Sequence, residues 1–223
     1  ASVELGVEPY FSVTATGQQI RLGDDADQQG ASDTTMAQRF DIIESLLGSV
    51  PLPTMPGEVD IKLPAIVAGG TTVRDVAFTA TTAERGWNID KLTASLPGRT
   101  TLEANGVFSA RPSLGFNGKL LVAVGQPSGF ANWLANDIDA PVRRLSNAGV
   151  EAKVELTPDK QVLNDLELIL GGARFNGTVA RTQGQGAKPH LAVTLDGGAT
   201  SSDAAAALAS FFFDADWKNR FTD

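Results

Sequence analysis

Two stretches of this chain are written on one plan. "NIDKLTASLPGRTTLEANGVFSARPSLGFNGKLLVAV" begins at Asn88, and "VLNDLELILGGARFNGTVARTQGQGAKPHLAVTL" begins at Val162. Laid side by side, Asp90-Lys91-Leu92 stands against Asn164-Asp165-Leu166, and Leu96-Pro97-Gly98 against Leu170-Gly171-Gly172. Asn105-Gly106 stands against Asn176-Gly177, and Pro112 against Pro189. Arg74-Asp75-Val76-Ala77-Phe78 resembles the opening of the same unit. Within each unit apolar residues alternate with polar ones, glycine or proline interrupts, and the alternation resumes. That is strand, turn, strand, turn, strand, with Pro-Gly and Asn-Gly supplying turn or bend. A repeated hairpin unit grows a sheet by addition.

The period of two extends well beyond the repeats. Val59, Ile61 and Leu63 alternate, as do Val76, Phe78 and Ala80, and the cleanest run is Leu114, Phe116, Leu120, Val122 and Val124. Short turns separate these runs, so neighbours pair antiparallel; parallel pairing needs long crossovers. Pro64 marks a bulge or an edge position. The expected fold is mainly β with a minor α component: an extended, curled antiparallel sheet built from repeated hairpin units, with three or four short helices. Nine to eleven strands are expected; at about 4.8 Å per spacing, ten would measure roughly 45 Å across. Such a sheet twists and curls.

Three regions follow. Residues 1–56 hold strands up to Leu22, with a turn near Thr16-Gly17, then an amphipathic helix over 32–47. Met36, Phe40, Ile43 and Leu47 form its apolar stripe. Residues 57–199 form the repeated sheet, interrupted by a helical insert at about 127–148. There Phe130, Trp133 and Leu134 suit one short helix, and Asp139, Pro141 and Gly149 mark the start and end of a second. Residues 200–223 hold a last helix led by Ser202 or Asp203. The chain opens "ASVELGVEPYF", without an initiator Met or a signal-peptide pattern, and is read as a piece of a longer protein.

Composition narrows the function. The net charge of −8 disfavours nucleic acid, which selects a basic face. With no cysteine there is no disulfide, thiolate metal site or cysteine nucleophile. The single histidine, His190, begins a strand without an evident partner, and no nucleophile elbow, P-loop or dinucleotide fingerprint occurs. Asp24, Asp25 and Asp27 lack the spacing and closing Glu of a calcium loop and read as a solvated loop. Asp137 and Asp139 read as helix-start residues. Trp87, Trp133 and Trp217 suit core or rim before a sugar platform, and Arg143-Arg144 a solvated helix face before a phosphate site. The expectation is a non-enzymatic protein with no cofactor and no metal site.

The stretch "GGTTVRDVAFTATTAERGWNIDKLTASLPGRTTLEANGVFSARPSLGFNGKLLVAVGQPSGFANWL" and the later "LNDLELILGGARFNG" resemble the AsmA family of bacterial envelope proteins. The similarity lies in the "GG.T.V.DV" strand, the Gly-Trp strand, the "LPG.T.LEA.G" hairpin, "F.GKL", and the short helix with Trp133-Leu134. It covers roughly residues 57–198. The resemblance implies a periplasmic segment, tethered to the inner membrane in the full-length protein, linked to phospholipid transport or outer-membrane assembly through an apolar sheet face. Implied partners are phospholipid or another acyl lipid and other segments of the same longer chain. On this reading Leu114, Phe116, Leu120, Val122 and Val124 on one strand, with Leu166, Leu168 and Leu170 on another, line an apolar groove. The plainer reading of the same residues is ordinary core beneath the helices. The alternative from a different class is a closed β-sandwich serving binding or adhesion.

Overall fold

The computed structural model describes residues 2–4, 9–18, 20–22, 55–68, 71–111, 113–134, 138, 140–184, 188 and 190–212. The expected helix over 32–47, the acidic loop at Asp24, Asp25 and Asp27, Asp137, Asp139, Pro112, Pro189 and Trp217 lie outside the described residues.

Twelve strands form one open sheet: β1 (Ser2–Glu4), β2 (Tyr10–Thr16), β3 (Ile20–Leu22), β4 (Gly57–Ala68), β5 (Thr71–Ala83), β6 (Gly86–Leu96), β7 (Thr100–Ser109), β8 (Gly115–Val124), β9 (Ala148–Leu156), β10 (Lys160–Leu170), β11 (Ala173–Thr182) and β12 (His190–Gly197). The order is β1-β2-β4-β5-β6-β7-β8-β9-β10-β11-β12, with β3 also beside β4. From β4 onward every pairing is antiparallel between sequence neighbours, as the short turns require. Three helices accompany them among the described residues: α1 (Pro127–Leu134), α2 (Ala140–Arg144) and α3 (Ser202–Phe212). Among the described residues β1 and β12 end the strand order and do not pair with each other, so the sheet is not closed into a barrel.

The first edge departs from the expectation. β2 and β3 both run parallel to β4, making the sheet mixed. Phe11 pairs with Gly57, Thr16 with Lys62 and Ile20 with Ile66, one constant offset. The chain therefore does not reverse at Thr16-Gly17; β2 and β3 are two pieces of one strand position. Pro64 accounts for the break. Gly17 N–H donates to the Lys62 carbonyl at 3.4 Å, and backbone groups two residues apart point the same way, so residue 64 also faces β2 and β3. Proline has no N–H to offer there. Across the other side Leu63 pairs with Val76 and Ala65 with Arg74, which brings Pro64 opposite Asp75, a residue with φ of 51°.

The sequence repeat is a bulge repeat. Asp75-Val76 stand against Ala94 alone, Asp90-Lys91 against Asn105 alone, and Asn164-Asp165 against Thr178 alone. Each unit thus opens on a strand with an Asp-bearing bulge, a device that bends and twists a sheet. Asn105-Gly106 and Asn176-Gly177 lie in mid-strand beside these bulges, so Asn-Gly supplies bend, not turn. The turns belong to residues 97–99 and to Gly171-Gly172. At the latter, φ values of 56° and 86° close a two-residue hairpin that glycine adopts without steric cost.

The helices also refine the sequence reading. Pro127 occupies the first turn of α1. α2 ends at Arg144, and Gly149 belongs to β9 and does not stop the helix. The cap of α3 is Ser201, whose Oγ accepts from Ala204 N–H at 3.1 Å.

Candidate functional site

Strand pairing sorts the side chains onto two unlike faces. On one, β4 places Val59, Ile61 and Leu63 beside Ala80, Phe78 and Val76 of β5. The face continues through Ile89 and Leu92 of β6 and Leu102, Ala104 and Phe108 of β7. Phe116, Leu120, Val122 and Val124 of β8 pair with Leu156, Ala152, Val150 and Ala148 of β9. β10 and β11 extend it with Leu163, Leu168, Phe175 and Val179, and β12 ends it with exposed Leu191 and Val193. The other face is polar: Glu58, Asp60 and Lys62 on β4, Glu103 and Asn105 on β7, Asn117 and Lys119 on β8, Glu151, Lys153 and Glu155 on β9.

The apolar face is concave at its β2 end. Phe11 and Trp87 meet edge to face, with ring centroids 6.4 Å apart and planes at 82°. Their strands, β2 and β6, are separated by β4 and β5. Three strand spacings on a flat sheet would hold them about 14 Å apart. Phe11 lies over Gly57, where a Cβ would stand 2.3 Å from its ring. The inner face buries itself in linked clusters. Ala80, Trp87 and Phe108 centre one; Ala152, Val154 and Leu166 centre another; Phe116 packs against both.

Among the described residues, helices pack over one part of this trough, at the strand ends that join β8 to β9 and β10 to β11. Leu145, Leu170, Ala173 and Phe175 pack with Ala204 and Ala207 of α3. Arg144 of α2 pairs with Asp203 of α3 at 3.5 Å, and Arg143 of α2 donates to the Ile138 carbonyl and to Asn132 of α1. Beneath α1 and α2 lies a pocket of about 200 Å³.

The eight candidate groove residues divide between these environments. Val122, Val124, Leu168 and Leu170 line the pocket beneath α1 and α2. Phe116, Leu120 and Leu166 belong to the strand clusters farther along the trough. Leu114 precedes β8 and packs against the Trp87 and Phe108 cluster. Sequence reasoning did not single out the β9 residues joining the two sets, Val150, Ala152 and Val154; their alternation beside polar Glu151 and Lys153 carried the signal.

The remaining chemistry is plain. Among the described residues no group of three or more His, Cys, Asp or Glu side chains converges to hold a metal ion. His190 stands exposed at the start of β12. Trp87 is core, and Trp133 meets Phe130 at a tilt of 46° with centroids 5.5 Å apart. On the polar face Lys153 and Asp165 pair at 2.8 Å. Their hydrogen bond, then their mutual attraction, holds the Asp165 carboxyl below its ordinary range and raises Lys153 above its own. Burial, then Glu58, raises Tyr10. No helix among the described residues is long and apolar enough to cross a membrane.

Among the described residues these features define a sheet that is not closed, polar on one face and apolar on the other, with the apolar face partly roofed by helices. Comparison with known proteins adds no relative: no family model, no curated protein and no solved structure matches the chain.

Proposed function

We propose that this chain is a non-enzymatic, AsmA-like segment that carries acyl lipid along its apolar sheet face. The observation that supports this reading is the continuity of that face from Phe11 on β2 to Leu195 on β12, of which the helices among the described residues roof only the part near the ends of β8 to β11. Eleven strand positions span about 48 Å, longer than one extended acyl chain. Hydrocarbon leaving water gains about 0.8 kcal/mol per buried methylene. A wall of Leu, Val, Ala and Phe supplies that without polar recognition, while the charged outer face keeps the trough in water. In the same reading the chain works in the periplasm, tethered to the inner membrane in the full-length protein, and serves phospholipid transport or outer-membrane assembly alongside other segments of that protein.

The test is delipidated protein titrated with a fluorescent phospholipid. Saturable binding is expected, lost in Leu120→Asp on the inner face and kept in Leu121→Asp on the outer face, with circular dichroism confirming that both fold. Absence of saturable binding to the unmutated chain would overturn the proposal.

A further inference from the structure

We infer that the pocket beneath α1 and α2 is a distinct binding site for the methyl end of one long acyl chain. The inference rests on the lipid-carrying reading for the source of its ligand, and on the pocket's own chemistry for its location.

The roof is Phe130 and Leu134 of α1 with Val142 of α2, and the floor is Val122, Val150 and Leu168. Every residue lining the pocket is apolar. The pocket is half open to solvent, so water that fills it wets an apolar wall that offers it no hydrogen bonds. An unbranched hydrocarbon that displaces that water removes the exposed apolar area and gains dispersion contacts with the lining. A headgroup does not suit the site, because it would surrender its hydrogen bonds to water without replacement. The volume of about 200 Å³ admits the end of a chain and not a whole lipid.

The approach is built into the sheet. Val122 follows Leu120 by two residues on β8, and Leu168 follows Leu166 by two on β10, so pocket floor and open trough are one surface. A chain lying along Leu120 and Ala152 needs only to advance one side-chain row to pass under the helices. The roof is light. α2 has five residues, too few to hold a helix alone. It is pinned by Arg143, bonded to Ile138 and Asn132, and by the Arg144–Asp203 pair. Each methylene that enters should tighten binding about fourfold, so affinity should depend on chain length until the pocket is full.

The test uses the whole chain, delipidated, and hexadecanoic acid with a diazirine at its terminal carbon. In one arm the probe is free; in the other it is esterified in phosphatidylethanolamine. Cross-linked residues are mapped by mass spectrometry, and affinity is followed over a decanoyl to octadecanoyl series. Labelling of Phe130, Leu134 or Val142 is expected. Labelling there in either arm supports the site, and the arm that labels identifies the source of the chain. Val150→Phe, which fills the pocket from below, should move the label out to Phe116 and Leu163 and flatten the length dependence; Val142→Phe, filling it from above, repeats the test if the first variant does not fold. Label confined to the open trough in the unmutated protein overturns this inference and leaves the lipid-carrying reading intact. Absence of both labelling and saturable binding overturns both.

Discussion

Phe11 and Trp87 touch edge to face although two whole strands lie between theirs. The contact works because Gly57, between them in the sheet, has no side chain; the Phe11 ring occupies the place where its Cβ would be. One small residue thus lets the Phe11 ring of β2 lean inward across β4 toward Trp87. Gly57→Ala should push the ring away and cost about 1 to 3 kcal/mol, the usual price of overpacking. Chemical denaturation measures the loss, and a change in Trp87 fluorescence shows that the aromatic contact has gone. A variant with unchanged stability and emission would refute this account of the contact.

A second close approach should be less forgiving. Gly106 and Gly118 pair across β7 and β8. A Cβ on Gly118 would stand 2.1 Å from the Asn105 carbonyl oxygen, and Gly106 has φ of 148°, a conformation side chains resist. Because the obstacle is backbone, neither site can relax by turning a side chain. Gly118→Ala should cost roughly 3 kcal/mol. Gly149→Ala is the contrast: the nearest atom is 3.4 Å away, and alanine is the better strand residue, so stability should hold or rise by about 0.5 kcal/mol. Urea midpoints of the two variants should move in opposite directions or by very different amounts.

Why such features escape a reading of the chain is clear from these positions. Alternation is local, so Phe116, Leu120 and Val122 could be assigned to one face directly, and the match of Asp90-Lys91-Leu92 with Asn164-Asp165-Leu166 marked the repeat. The meaning of that match depended on pairing: only the register shows that Asp75, Asp90 and Asp165 sit in bulges and that Asn105-Gly106 lies in mid-strand. Parallel pairing of β2 with β4 joins residues 46 apart in sequence, and no local pattern near Thr16-Gly17 distinguishes it from a hairpin. The division of the groove candidates was likewise hidden. Leu120 and Val122 look alike in sequence, and the helices decide that, among the described residues, Val122 lines the roofed pocket while Leu120 packs on a strand cluster.

The Lys153–Asp165 pair should leave a mark on the pH dependence of stability. Asp165 has a lowered value in the folded protein, so its contribution is present above the ordinary carboxylate range and is lost as pH falls through the lowered value. Lys153 has a raised value, so its contribution is present below the ordinary lysine value and is lost as pH rises through the raised one. Both groups are exposed, so the effect should be small and should shrink with added salt. Asp165→Asn should abolish both limbs while preserving the bulge, since Asn tolerates the φ of 50° there. Asp165→Val should lower the melting temperature further, because a β-branched residue resists that conformation. Melting curves across pH at two salt concentrations separate the charge effect from the backbone effect.

The helical roof offers the last prediction. α3 seats Ala204 and Ala207, both fully buried, against Leu170 and Phe175 of the sheet and Leu145 after α2. Its first turn depends on Ser201, whose hydroxyl accepts from Ala204 N–H and whose carbonyl accepts from Ala205 N–H. Ser201→Ala removes the hydroxyl and leaves the carbonyl, so the helix should fray and not vanish, at a cost of about 1 kcal/mol. Ala207→Leu acts on the opposite side of the same contact. It forces a larger side chain into a filled space and should cost about 1 to 3 kcal/mol while lifting α3 away from the sheet. Hydrogen exchange distinguishes the two: faster exchange confined to the first turn of α3 is expected for Ser201→Ala, and faster exchange spreading into α2 for Ala207→Leu, because Arg144 and Asp203 tie the helices together. Uniform acceleration across the whole sheet in either variant would mean that the roof and the trough do not open separately.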